Sequence, residues 1–178
     1  MTSNPAPDHI ETLAQRIGPA LASRGWTLAT VESCTGGWVS QAVTAIAGSS
    51  GWFDRGFVTY SNEAKQELVG VALATLTAHG AVSEETAREM ALGGLARSRA
   101  KIAVSITGVA GPSGGTAAKP VGMVCFAWAV QGGAVIATTC HFEGDRDSVR
   151  RRSVERALQG VLDAASGALD DAGKGSIR

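Results

Sequence analysis

A chain of 178 residues with 16 Lys plus Arg, 16 Asp plus Glu and no formal net charge can bury one core, and it carries no global field for nucleic acid or an anionic membrane. Its three cysteines, Cys34, Cys125 and Cys140, are odd in number and form no CxxC pair, which argues against a disulfide framework and a structural zinc site. No apolar run approaches membrane-spanning length and residues 1–8, with Pro5, Pro7 and Asp8, contain no apolar signal region, so we expect a cytoplasmic protein with one domain over residues 1–178.

Ile10, Leu13, Ile17 and Leu21 recur at helical spacing, and Gly25 can close this first helix as a C′ residue. Trp26, Leu28, Ala29 and Val31 then form a short β-prone run. It ends in Glu32, Ser33, Cys34 and Thr35, followed by Gly36 and Gly37, before Val39, Val43 and Ile46 resume helical spacing to about Ala47. Such a strand-to-helix turn places hydroxyls and a thiol at the carboxyl end of a strand. Backbone N–H groups at Gly36 and Gly37 near a helix start favour anions and developing oxyanions. An ordinary helix N-cap explains Ser33 and Thr35 equally well.

A second strand over Phe53 to Tyr60 leads into a capped helical turn from Ser61 to Leu68, with Ser61 or Asn62 as the cap. Lys65 lies about one turn beyond the strand. If the two strands are parallel neighbours, as alternating β and α segments suggest, Ser33 and Lys65 emerge on the same edge of the sheet. Ser83 caps the next helix, with Glu84 and Glu85 in its first turn and Ala87, Met90, Ala91, Gly94 and Leu95 on its buried face. Ile102 to Thr107 reads as a buried strand.

Gly108 to Thr116 is a glycine-rich loop too long for a tight hairpin, and Lys119-Pro120-Val121-Gly122 returns it to a strand over Met123 to Val130. Gln131-Gly132-Gly133 signals a hairpin, so Ala134 to Phe142 pairs antiparallel with that strand and the sheet is mixed. After the polar turn Glu143 to Asp147, a long helix turns Val149, Val154, Leu158, Val161, Leu162 and Ala165 inward. Arg150, Arg151 and Arg152 read as its solvated face, and the chain from about Gly167 to Arg178 reads as frayed.

Two motifs mislead. Gly111-Pro112-Ser113-Gly114-Gly115 has the letters of a GxSxG nucleophile elbow, but that elbow needs a helix directly after the serine, and Thr116 to Pro120 and a strand follow instead. The same loop fits neither Walker A nor GxGxxG, which argues against ATP and NAD. A lysine can act as base for a serine if burial lowers its pKa, which makes Lys65 a candidate beside its reading as a solvated helix lysine. Cys34 is the competing nucleophile, since a helix N-terminus can activate a thiol, with a small core residue as the equal reading. A pairing of Ser33 with His141 stays open, although nothing singles it out.

Glu32-Ser33-Cys34-Thr35-Gly36-Gly37, Thr59-Tyr60-Ser61-Asn62-Glu63-Ala64-Lys65, Thr107-Gly108-Val109-Ala110-Gly111-Pro112 and Lys119-Pro120-Val121-Gly122, taken together, closely resemble the CinA carboxy-terminal domain family. That family includes the nicotinamide-nucleotide amidohydrolases, or NMN deamidases, and the likeness runs over about residues 9–165. It implies a three-layer α/β/α sandwich with a mixed, mainly parallel sheet and one antiparallel hairpin. It implies hydrolysis of nicotinamide mononucleotide to nicotinic acid mononucleotide and ammonia, with no metal and no organic cofactor. Through the resemblance Ser33 is the nucleophile, Lys65 its base, and Tyr60 orients the lysine or donates to the substrate. Cys34 holds a position that the family does not fix as cysteine. Thr35, Gly36 and Gly37 are then the oxyanion scaffold, Thr107, Gly108, Gly111, Gly114 and Gly115 line the nucleotide pocket, and Lys119 and Arg146 are phosphate donors. The implied partners are a small-molecule nucleotide substrate and a second copy in a homodimer, with no nucleic acid and no membrane. The family name also covers competence- or damage-inducible proteins that carry the domain behind a larger one, so a nucleotide-binding or interaction module without useful turnover is the alternative. A third reading keeps the amidase chemistry on another small amide.

Overall fold

Apolar runs bounded by glycine and capping residues dictate an alternation of strands and helices, which the computed structural model describes over residues 8–168. In order these are α1 (His9–Ala22), β1 (Leu28–Glu32), α2 (Trp38–Thr44), a 3-10 turn (Ser49–Gly51), β2 (Phe53–Val58), α3 (Asn62–Val69), α4 (Leu73–His79), α5 (Glu84–Ala96), β3 (Ile102–Gly108), β4 (Met123–Val130), β5 (Val135–His141) and α6 (Arg146–Ser166). The frayed ending expected beyond Gly167 lies, from residue 169 on, outside the described residues. Among the described residues no helix is long and apolar enough to cross a membrane.

The sheet has the order β2-β1-β3-β4-β5. β1 runs parallel to both β2 and β3, whereas β4 runs antiparallel to β3 and to β5. The mixed sheet and the β4–β5 hairpin are those expected. The β3–β4 pair is antiparallel as well, because residues 109–122 lead straight back beside β3 with no crossover helix. Helices α1, α2 and α6 cover one face and α3, α4 and α5 the other, which gives the three layers.

Alternation along β3 sorts the two cores. Ile102, Val104 and Ile106 join Ile17, Leu28, Phe126, Trp128 and Leu158 under α1 and α6. Ala103 faces the other way, where Ala87, Ala91, Cys125, Ala127 and Ala129 form a small-residue layer that lets α5 lie close. A Cβ at Gly94 would stand 2.6 Å from Val31 Cγ2, and one at Gly93 only 1.8 Å from the Val69 carbonyl oxygen.

The register positions the site. Glu32 is level with Val58 on one side and with Ile106 on the other, so Ser33, Thr59 and Thr107 stand side by side at the carboxyl ends of three parallel strands. One element was absent from the sequence reading. α4 follows Ala72, whose side chain cannot cap a helix, and the cap comes instead from Glu89 on α5, whose Oε2 accepts the Ala72 N–H at 2.8 Å.

Candidate active site

β1 ends in a carboxylate that no ordinary buried strand would carry. Glu32 is fully buried and turns onto the start of α2. Its Oε2 accepts the N–H groups of Gly37 and Val39, both at 3.0 Å, and its Oε1 accepts the Ser40 N–H at 2.8 Å and the Ser40 hydroxyl at 2.9 Å. Because that hydroxyl donates to Glu32, the Thr30 hydroxyl 2.6 Å away must be the one donating to Ser40. Gly56 opposite leaves room for this chain, since a Cβ there would stand 2.3 Å from Ser40 Oγ. Gly36 and Gly37 have φ of +62° and +98°, and only glycine adopts these readily.

Glu32 therefore does the capping that Ser33 and Thr35 were free to do on sequence grounds. Two of the donors expected for an oxyanion are already engaged. The Gly37 N–H is held by Glu32, and the Gly36 N–H donates to the Ser33 carbonyl at 3.0 Å. Neither is free. The N–H groups of Cys34 and Thr35 meet no acceptor among the described residues. All four partners of Glu32 are donors, so a glutamine would have to aim its NH2 group at an N–H whichever way it turned. We expect Glu32→Gln to cost about 2–4 kcal/mol, a fall of roughly 5–10 °C in thermal midpoint by calorimetry.

Ser61 caps α3 as predicted, accepting the Ala64 N–H at 3.0 Å. One turn later Lys65 points inward and is only 1% exposed, so it is not a solvated helix lysine. Its Nζ lies 2.9 Å from the Thr59 carbonyl oxygen, 3.3 Å from that of Tyr60 and 3.2 Å from Ser33 Oγ. No ion pair among the described residues includes it. Burial without a countercharge pushes its pKa below the ordinary 10.5. A neutral amine has two hydrogens and one lone pair, which matches two carbonyl oxygens and one hydroxyl. In that neutral form the lone pair is the part of Nζ left for Ser33 Oγ.

Cys34 is next to this pair and 6% exposed. Burial pushes its thiol up to about 12, which keeps it protonated and weak as a nucleophile. His141 sits at the end of β5, three strands from β1, or roughly 14 Å at ordinary strand spacing. The Ser33–His141 pairing is not made.

Ser33, Cys34, Tyr60, Lys65, Ala81, Val82, Thr107, Gly108, Ala110 and Arg146 line a cleft of about 190 Å³. Thr107 donates to the Ala81 carbonyl at 2.7 Å and fixes the segment before α5 as one wall. Arg146, in the first turn of α6, donates to the Gly111 carbonyl at 2.7 Å and lies 3.5 Å from the Tyr60 hydroxyl, so three distant segments meet at the rim. Gly114 and Gly115 are exposed on the loop and do not line the cleft. Nor does Lys119, whose ammonium donates to the His79 carbonyl. A larger groove of about 560 Å³ between α1 and the end of α6 contains no nucleophile paired with a base.

The basic run on α6 also departs from expectation. Arg150 is half-buried and donates to the Cys34 and Thr35 carbonyls, each at 3.1 Å. Glu32 and Arg150 are the residues whose roles the sequence reading missed. A carboxylate closing an otherwise apolar strand just before paired glycines was a usable signal for the first. Arg150 carries no local signal.

The profile of the CinA C-terminal domain family matches residues 10–165. The chain is 56% identical over 147 residues to the nicotinamide-nucleotide amidohydrolase PncC of Escherichia coli strain K12, an alignment that spans 83% of this chain and 89% of that protein. It is 53% identical over 149 residues to a CinA-like protein of Chloroherpeton thalassium, covering 82% of this chain but 36% of that longer one. The crystal structure of the competence/damage inducible protein CihA from Agrobacterium tumefaciens superposes with a TM-score of 0.86 at 46% identity, over 92% of this chain and 99% of CihA.

Proposed function

The chain belongs to the CinA C-terminal domain family, and on that footing we propose that it hydrolyses the carboxamide of nicotinamide mononucleotide, with Ser33 as nucleophile and Lys65 as base. The observation that carries this reading is the buried lysine without a countercharge, 3.2 Å from a serine hydroxyl in the cleft. A buried lysine tends to shed its proton, and a serine becomes a useful nucleophile when a base takes its proton. The similarity to an amidohydrolase along 83% of the chain supports the substrate.

In the first half-reaction Ser33 Oγ attacks the amide carbon while its proton passes to Lys65 Nζ. The Thr59 and Tyr60 carbonyls accept from the resulting ammonium and hold it in place. That proton then goes to the departing nitrogen, the C–N bond breaks and ammonia leaves an acyl ester on Ser33. Water, deprotonated by the same lysine, cleaves the ester and returns the serine. The exposed guanidinium of Arg146 at the rim is the donor for the substrate phosphate, without the Lys119 first expected to share that role. The homodimer implied by the resemblance and the cytoplasmic location expected from the sequence belong to the same proposal.

Purified protein incubated with nicotinamide mononucleotide is expected to release ammonia and nicotinic acid mononucleotide. Cys34→Ala is expected to keep kcat within about threefold, since a thiol raised to about 12 contributes no thiolate near neutrality. Binding of the nucleotide without ammonia release would instead favour the interaction-module reading. An inactive Cys34→Ala beside an active Ser33→Ala would reassign the nucleophile.

A further inference from the structure

Arg150 lies one turn after Arg146 on the same side of α6, yet its guanidinium points to the backbone of the nucleophile turn rather than to the cleft. Its Nε donates to the Cys34 carbonyl and its Nη2 to the Thr35 carbonyl, each at 3.1 Å, while its guanidinium carbon lies 5.2 Å from the centre of the Trp38 ring. A guanidinium is planar and its N–H fork is fixed, so two such bonds set the tilt of both peptide planes.

The consequence follows from peptide geometry. In a trans peptide the carbonyl and the N–H point in opposite directions, and the only cis bond among the described residues is Gly111–Pro112. The Cys34 carbonyl shares its peptide group with the Thr35 N–H, which therefore points away from Arg150 and meets no acceptor among the described residues. The Thr35 hydroxyl is likewise fully buried and without a hydrogen-bond partner. Thr35 is fully buried and does not line the cleft, whereas Cys34 does and its N–H also meets no acceptor among the described residues, so with the Gly36 and Gly37 donors occupied the Cys34 N–H is the one a substrate can meet.

We infer that Arg150 is a positioning residue for the reaction: by holding the Cys34 and Thr35 carbonyls it fixes the turn that presents Ser33 Oγ to the cleft, with the Cys34 N–H beside it as a preorganised donor to the oxyanion that forms on the substrate. The inference rests on the amide hydrolysis proposed above. Such donors act in the transition state far more than on the bound substrate, so their loss appears in kcat.

Arg150→Met keeps an unbranched stem and removes the fork, and Arg150→Lys restores the charge without it. Both are expected to lower kcat for nicotinamide mononucleotide by about 10- to 100-fold with KM within about threefold, below the full effect of deleting an oxyanion donor because the peptide is loosened and not removed. Millimolar guanidinium ion is expected to restore part of the rate to Arg150→Ala but not to Ser33→Ala. Arg151→Met is the control. Arg151 flanks the same Trp38 ring and pairs with Asp8 but does not touch the turn, so its loss should leave kcat unchanged. A wild-type kcat in Arg150→Met, or in Arg150→Lys should the first variant not fold, overturns the inference. So does a defect confined to KM, which would make Arg150 a substrate ligand. Wild-type protein that releases no ammonia overturns the reaction itself and this role with it.

Discussion

Ser33→Ala is expected to lower kcat for ammonia release by at least about 10⁴-fold, the scale on which removal of a nucleophile acts in serine hydrolases. The fold should barely register the change. Ser33 Oγ has Lys65 as its hydrogen-bond partner and the residue is 8% exposed, so its removal costs about 1 kcal/mol. The turn is held by other groups: the Ser33 N–H donates to the Ile106 carbonyl at 2.9 Å, Glu32 grips α2 and Arg150 grips the two following carbonyls. Mass spectrometry of wild-type protein quenched during turnover should find the acyl adduct on the peptide containing Ser33. Ser33→Ala at the full wild-type rate would mean that water attacks the amide directly, with Lys65 as its base.

Lys65→Met is expected to lower kcat by about 10²- to 10⁴-fold, the range for a positioned general base. It should also alter the pH dependence of both rate and stability. Only the neutral amine can accept the Ser33 proton, so the wild-type rate should rise as pH rises through a pKa held below 10.5 by burial. Stability follows the same sign. Between the lowered folded value and 10.5 the unfolded chain binds the proton and the folded chain does not, so stability increases with pH across that window. Below the lowered value the penalty for the buried ammonium is fully present. Thermal midpoints measured from pH 7 to pH 10.5 for wild type minus Lys65→Met should therefore climb with pH. A flat difference would mean that Lys65 titrates at its ordinary value, and the base would have to be sought elsewhere.

The parts of this site that were legible in the sequence are those written in local chemistry. Ser61 followed by Asn62 and Glu63 announces a capped helix one turn before Lys65, and the cap is formed. The bounds of β4, Met123–Val130, follow from an apolar run between two glycine turns. What local pattern does not encode is which chain segments meet. The approach of Lys65 to Ser33 depends on β1 and β2 pairing in parallel with Glu32 level with Val58, a fact of register between residues far apart in sequence. Helix α4 was missed because its cap is Glu89, 17 residues downstream on another helix. Arg150 was misread for the same reason, since its partners lie 116 and 115 residues away and nothing in an arginine run says that one member is turned inward. The glycine loop divides: Gly108 lines the cleft, whereas Gly114 and Gly115 do not. Its glycines serve close packing as much as any ligand, as at Gly115, where a Cβ would stand 2.8 Å from the Val121 nitrogen.

The reversed direction of β4 has a consequence for how such an enzyme can change. Because β4 returns beside β3, the loop of residues 109–122 opens at the same end of the sheet as Ser33 and Lys65, and its two feet are joined by the Val109 N–H to the Met123 carbonyl and by the Gly122 N–H to the Val109 carbonyl at 2.7 Å. A loop clamped at its base can lengthen or shorten cheaply, at about 0.6 kcal/mol per doubling. Ser33 and Lys65 sit on the two parallel crossovers, residues 32–37 and 59–65, where a shift of one position would carry them off the register. Reactivity and entrance are thus separate inheritances: the doorway can be redrawn for a different amide while the machinery behind it stays as it is.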